Sequence, residues 1–338
     1  MIPMEIHRKA LKDRARQTMR QNVPPAWLVA LLFWGLTTGV STISDLAGFT
    51  TSLAASSSGV QFFPLFFTLL LTLYSVVMNF GYEIWCLRAW RRDEADFATL
   101  IDGFGMAGQV LLMEIQIFLR LFGWCLLPVI PATVIISAAN SLEMMILLTQ
   151  LFTFALIPYL YFIRLRYALA PYLLMDRPDR GAAAAVRESV GLMRGWKLEL
   201  FKLDLSFLGW YLLEWGLAIL AQVIFLIPTL IGIFQSGATP ETLMTLVAGT
   251  TAGSLVGLLL CLPVELWLLP YTGLARAGFY DARISFVPPA PPVYTYDSTR
   301  SLPINIPPSR RTGLFRTGPR TAVSFFRRRQ NPKILYNF

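Results

Sequence analysis

The chain has one histidine, three cysteines and few charges, and each scarcity removes a class of function. The single histidine is His7, near the N-terminus and outside every apolar run. A Ser–His dyad at membrane depth is thereby excluded. Neither H-E-x-x-H, nor G-x-S-x-G, nor a phosphate-binding glycine loop occurs. An intramembrane aspartyl pair needs two facing aspartates, and Asp204 is the only aspartate well inside an apolar segment. Cys86, Cys125 and Cys261 lie apart, each within an apolar run. That number and spacing give neither a disulfide framework nor a metal site, so they read as packing residues. The expectation is a protein that is not an enzyme and carries no metal and no cofactor.

Charged residues make up 14% of the 338 positions and hydrophobic ones 55%. A soluble domain is about 25% charged. Several apolar runs are long enough to cross a bilayer as helices. A transmembrane barrel would show short segments of alternating polarity, and these are absent. The expected fold class is all-α: a polytopic helical membrane protein of about six transmembrane helices with cytoplasmic interfacial amphipathic helices.

Lysine and arginine are also missing from particular places. Residues 44–61, 140–143 and 235–242 contain none. Of 29 Lys and Arg, 28 fall at the N-terminus, in the second and fourth loops, at the start of the fifth apolar region or at the C-terminus, and the other is Arg120. Positive residues stay on the inner side of a membrane. The pattern predicts a bacterial cytoplasmic (inner) membrane protein with both termini in the cytoplasm. The net charge of +9 then reflects these flanks and not nucleic acid.

Residues 1–25 read as a cytoplasmic amphipathic helix ended by Pro24 and Pro25. Met4, Leu11, Ala15 and Met19 share one face, and Lys9, Asp13, Arg16 and Arg20 the opposite one, as suits an anionic membrane surface. Residues 26–284 form the membrane domain, with spans at about 27–43, 62–87, 107–137, 144–162, 198–234 and 243–269. The first is read as a retained helix, since its apolar run exceeds a signal-peptide core and no small-x-small site follows directly. Pro128 and Pro131 should bend or end the third span, and Pro228 should kink the fifth, which is too long for one straight crossing. Residues 285–338 read as a disordered, basic, Pro/Arg-rich cytoplasmic tail.

Within the spans, ionisable residues are costly and are candidates for function. They are Glu83, Glu114, Arg120, Glu214 and Glu265, together with Asp204 near the start of its span. Glu114 and Arg120 lie about 120° apart around one helix, so Arg120 is expected to meet Glu83, Glu214 or Glu265 from another span. Such a pair either fixes helix register or handles protons or a substrate. Asp204 is expected to answer Lys202 or an arginine opposite. The segment 179–195 reads as an interfacial helix locking spans four and five together, capped by Asp179 and closed by Gly195. Arg180, Arg187 and Arg194 on its flank, and Lys197 beyond it, are candidate contacts to anionic inner-leaflet lipids. Gly35 and Gly39 in the first span, and Gly249, Gly253 and Gly257 in the sixth, form small-residue stripes. These either pack spans one and six together or make a seam with a second copy or another membrane protein.

Three stretches carry a resemblance: NFGYEIWCLRAWRRDEADFATLIDGF (79–104), the central run 167–213, and PYTGLARAGFYDAR (270–283). The most specific residues are Ala170, Pro171, Tyr172, Asp176, Pro178, Ser189, Met193, Gly195, Lys197, Leu205, Ser206, Phe207, Gly209 and Trp210. With these the chain resembles, over roughly residues 5–283, the bacterial integral-membrane family catalogued as domain-of-unknown-function family 975. The resemblance implies a multi-helix membrane protein and transfers no catalytic residue. The turn around Ser141 and the long basic tail depart from the family pattern. Two functions are expected from different classes. One is a structural, regulatory or scaffold protein working through its inner face, and the other a small-solute or ion transporter using the buried charges.

Overall fold

A computed structural model describes residues 8–47, 62–139, 141–237 and 239–285. Residues 48–61 of the first loop and the tail expected to be disordered lie outside them. All regular structure among the described residues is helical. The N-terminal helix α1 is Arg8–Gln21. Then α2 (Ala26–Trp34) runs through a π-helical turn, Gly35–Gly39, into α3 (Val40–Leu46). Next come α4 (Phe62–Arg91), the short α5 (Thr99–Gly105), α6 (Ala107–Ser137) and α7 (Leu142–Arg164). A 3₁₀ turn, Leu165–Tyr167, leads to α8 (Ala170–Asp176), and a second, Pro178–Arg180, to α9 (Gly181–Leu192). The chain ends in α10 (Lys197–Leu205), α11 (Leu208–Ser236) and α12 (Pro240–Ser285). Six helices are long and apolar enough to cross a membrane: Ala26–Leu46, Phe62–Arg91, Ala107–Ser137, Leu142–Asp176, Leu208–Gln235 and Pro240–Ser285.

The packed core does not sit midway along the spans. Trp85, Trp90, Leu169, Leu174, Met193, Phe207, Tyr271, Phe279 and Tyr280 are fully buried, and they gather where α1, α5, α8, α9 and α10 meet the ends of α4 and α12. This is the basic end of the bundle. Further along, Phe66, Phe118, Phe154, Ile219 and Leu259 stand exposed. In water such a belt would be an aggregating surface, whereas hydrocarbon solvates it. At 1.5 Å per residue the 46 residues of α12 extend about 69 Å, more than twice the roughly 30 Å of a bilayer core. Its last third, which the sequence reading treats as a flank, is the central post of the basic-end core.

Several local expectations need correction. The third span is not ended by Pro128 and Pro131: α6 continues through both to Ser137. Proline is tolerated in membrane helices because neighbouring groups satisfy the freed carbonyls. The sixth-span stripe does not face the first span. A Cβ on Gly249 would lie 3.0 Å from the Phe225 carbonyl oxygen, and one on Gly253 2.8 Å from Gln222 Oε1, so α12 lies against α11 there. Gly35, in the π-helical turn, has nothing within 4 Å of the Cβ position, and Gly39 only the Trp34 carbonyl oxygen at 3.9 Å, so neither marks a close approach to the sixth span. Spans one and six do meet, but through Ala26, Val29, Ala30 and Phe33 of α2.

The apolar face of α1 is as expected, but it packs on protein. Ala15 and Thr18 are buried against α12 and α4, Arg14 donates to the Trp90 carbonyl at 3.2 Å, and Lys12 bonds Ser206 Oγ at 3.2 Å. The fifth region, expected as one stretch over 198–234, is divided: α10 ends at Leu205, and α11 starts at Leu208 after a break at Ser206 and Phe207. Ser141 caps α7, accepting from the Met144 N–H at 3.2 Å. By contrast Asp179 makes no capping bond to α9. The closing turn does use Gly195, whose φ of 82° is left-handed. The inward face of α9, with Ala182, Val186 and Ser189, lies against α6, α8 and the 3₁₀ turn after α7, so it is joined to the end of span four and to span three more than to span five.

Candidate functional site

A cavity of about 210 Å³ opens where α7 gives way to its 3₁₀ turn. Ionisable side chains reach it from four membrane helices and from α10: Glu83 on α4, Glu114 on α6, Arg164 at the end of α7, Asp204 on α10 and Arg276 on α12. Three tyrosines complete the polar wall: Tyr161, Tyr167 and Tyr172. Pro171 sits in the first turn of α8, where its missing N–H costs nothing, and starts the helix that carries Tyr172.

Two of these five charges are paired within the wall. Arg276 Nε donates to Asp204 Oδ1 at 3.0 Å, and Tyr161 Oη donates to Asp204 Oδ2. Asp204 is 13% exposed, so both of its oxygens are held in place. Its expected arginine opposite is therefore Arg276. Glu83, Glu114 and Arg164 differ. Among the described residues none of the three has a hydrogen bond or an ion pair within 4 Å, although all line the same cavity. Glu83 is surrounded by protein, and its remaining open surface belongs to the cavity wall.

The other intramembrane charges lie elsewhere. Arg120 meets none of the acids expected to pair with it. It lies about 9 Å further along α6 than Glu114, past the cavity, and its guanidinium stands 5.9 Å from the Tyr167 ring centroid. Glu265 accepts from Trp34 Nε1 at 2.8 Å and so ties span six to span one. The Glu214 carbonyl accepts from Cys261 Sγ at 3.3 Å. Neither glutamate lines the cavity.

The basic flank of α9 is partly engaged with its own helix. Glu188 receives Arg177 Nη1 at 2.6 Å and Arg180 Nη1 at 3.3 Å, and Arg187 Nε donates to the Ala183 carbonyl. Arg187 and Arg194 remain exposed. Lys197 Nζ stands 5.6 Å from the Phe162 ring, where burial first and Arg166 second draw its pKa below the ordinary lysine value.

A second cluster closes the core beside the cavity. Arg91 grips Asp176 with both terminal nitrogens, at 2.7 and 2.8 Å, and its Nε donates to Asp281 at 3.2 Å. Tyr280 Oη reaches the same Asp176 at 2.8 Å, and its ring stacks on Tyr172. The wholly buried Ser189 donates to the Arg166 carbonyl at 3.0 Å and accepts from the Leu169 N–H at 3.3 Å, pinning the turn below the cavity. Reading the sequence misses Arg164, Arg276 and the three tyrosines as site residues, and misses Arg91 and Asp281 as clamps. The usable signals are the Tyr161–Arg164–Ala168–Tyr172 spacing, which has helical periodicity in the sequence although the chain turns between α7 and α8, and the stretches Trp90–Arg91 and Tyr280–Asp281.

No curated protein and no solved structure matches the chain. A family model does match residues 4–285, which take in every element of the cavity, the clamp and the bundle. The chain belongs to that family, described as "Protein of unknown function (DUF975)".

Proposed function

We propose that this protein is a non-catalytic, multi-pass component of the bacterial cytoplasmic membrane, that its basic end lies in the cytoplasm, and that it works by holding a small charged ligand in the cavity there. One observation carries the reading: Glu83, Glu114, Arg164, Asp204 and Arg276 converge from five separate helices on one cavity, and three of them have no partner in the wall. Ionisable groups near the membrane are costly unless something satisfies them. Arg164 is exposed, so the unpaired Glu83 and Glu114, both partly buried, carry this reading. The non-catalytic part rests on the sequence, which has a single histidine and lacks H-E-x-x-H, G-x-S-x-G and a phosphate-binding glycine loop. A regulatory protein would couple ligand binding to the platform of α1, α5, α8, α9 and α10. Transport is less favoured, because Glu214 and Glu265 do not join the cavity charges in a continuous path.

A cavity-filling change tests this. Ala168 lines the cavity, and Ala168→Phe adds a ring there. Native mass spectrometry of wild-type protein should show a retained small mass that Ala168→Phe loses at unchanged abundance. No retained mass in the wild type would sink the reading. For orientation, Ser141→Cys and Gly191→Cys would be compared with a membrane-impermeant maleimide in a Cys125→Ser background. Ser141→Cys should react in right-side-out vesicles and Gly191→Cys in inside-out ones. The opposite pattern would put the basic end outside.

A further inference from the structure

We propose that the ligand is a small organic ammonium ion, seated between Glu83 and Glu114 and against the tyrosine wall, either as a free amine or as the amino head group of a phospholipid. This rests on the binding reading above and deepens it.

Charge supplies the first argument. With every group ionised, the wall holds three carboxylates and two guanidinium groups, a net charge of −1. Asp204 and Arg276 cancel each other at 3.0 Å, and Tyr161 occupies the second oxygen of Asp204. What remains is Glu83 and Glu114 against Arg164. A monocation can be received by both carboxylates at once and favours their ionised forms, whereas an anion would find only Arg164 unpaired in the lining. Glu83 is the more telling of the two acids. It is partly buried, unpaired among the described residues, and lines the cavity. An ammonium group provides several N–H donors, or a diffuse positive surface, to both carboxylates at once.

The second argument is the aromatic surface. Ring faces attract alkylammonium ions, and cages of aromatic side chains with a nearby acid are the usual sites for them. Tyr161, Tyr167 and Tyr172 line this cavity, and the Tyr167 ring already attracts the Arg120 guanidinium. A bare metal ion suits the site poorly. No three His, Cys, Asp or Glu among the described residues are placed to hold one, and calcium wants six to eight oxygen ligands.

Size is the third argument. About 210 Å³ corresponds to roughly seven water molecules at about 30 Å³ each. Ethanolamine or choline fits within that space, and drug-sized ligands generally need more. Arg164, the cation left unpaired, stands ready for the phosphate of a head group.

The test uses the full-length protein purified in detergent without phosphatidylethanolamine. Binding of ethanolamine, choline and inorganic phosphate would be measured calorimetrically at matched ionic strength. Protection against thermal unfolding would be compared in nanodiscs with and without phosphatidylethanolamine. Saturable ethanolamine or choline binding supports the free-amine source, and protection confined to phosphatidylethanolamine nanodiscs supports the head group. In either case Glu83→Gln and Glu114→Gln should weaken binding by at least about tenfold, Glu83→Asp should restore part of it, and Glu214→Gln should leave it unchanged. Each variant must elute as folded protein, and Glu83→Asp keeps the charge if Glu83→Gln does not fold. Saturable phosphate binding without either ammonium form would overturn the ammonium assignment and leave the binding reading standing. Ammonium binding indifferent to both glutamine variants would also overturn it. If no probe binds and the wild type retains no mass, both proposals fall.

Discussion

Replacing Gly81 by alanine is expected to destabilise the protein by about 1–3 kcal/mol or more and to reduce severely the folded protein recovered from membranes. At Gly81 the backbone of α4 crosses that of α5, and an added Cβ would collide with the Leu100 carbonyl oxygen. The partner glycine is equally tight. A Cβ at Gly103 would lie 2.8 Å from the Val77 carbonyl oxygen and 2.9 Å from the Gly81 nitrogen. The atoms in the way are backbone, so no side-chain rotation relieves the clash, and the two helices must part. Parting them strains the neighbouring Trp85 Nε1 bond to the Ala95 carbonyl at 3.0 Å, in a region where Trp85, Trp90 and Leu100 are fully buried. Close-packed interiors do not absorb such a shift without loss elsewhere. Gly105 is the control, since nothing lies within 4 Å of its Cβ position. Gly105→Ala should be neutral or mildly stabilising, by up to about 1 kcal/mol. Thermal unfolding of the two variants in one detergent decides the matter. Equal melting temperatures would mean that α4 and α5 do not cross at Gly81.

How much of this was legible in the chain follows from which interactions leave a periodic trace. Each span repeats apolar residues over a length that only a helix across a bilayer uses, so the six long helices and their order could be read directly. The same holds for the amphipathic face of α1, although whether Leu11, Ala15 and Met19 meet lipid or protein depends on a neighbour that periodicity does not reveal. Glycine stripes mislead in the same way. The Gly249–Gly253–Gly257 pattern signals close approach, but α11 answers it and not the first span, and the decisive glycines, Gly81 and Gly103, stand singly on different helices. Charges behave likewise. Glu83, Glu114 and Asp204 are visible as costly residues, yet their common cavity depends on Arg164 and Arg276, which read as ordinary flanking charge at helix ends. The basic end looks like a set of topology signals in the sequence. In three dimensions it is also where the core and the cavity are built.

Breaking the Arg91–Asp176 clamp is the second change with a large expected effect. Arg91 is 31% exposed and Asp176 24%, so the pair lies between a surface salt bridge worth about 0–1 kcal/mol and a buried one whose breakage costs about 3–5. Asp176→Asn should therefore cost about 2–3 kcal/mol. It removes the carboxylate charge and one of the two parallel bonds, and sets an amide NH2 against the guanidinium, whose ion pair is then with Asp281. Arg91→Lys should cost nearly as much, because an ammonium cannot make two parallel bonds to Asp176 while also reaching Asp281. Exchanging the charges, with Arg91→Asp and Asp176→Arg together, should not restore stability, since Asp281 and Tyr280 are arranged for the native polarity. Asp13→Ala is the contrasting control. Its partner Arg16 lies 4.0 Å away, both side chains are more than half exposed, and no measurable change is expected. The clamp also bears on the cavity, because Asp176 ends α8, the helix that carries Tyr172 into the wall, and Tyr280 stacks on that tyrosine. Asp176→Asn should thus lower ligand affinity as well as melting temperature, whereas Gly81→Ala protein that does fold should bind normally. Equal affinity losses in the two would mean that binding follows global stability and not the position of α8.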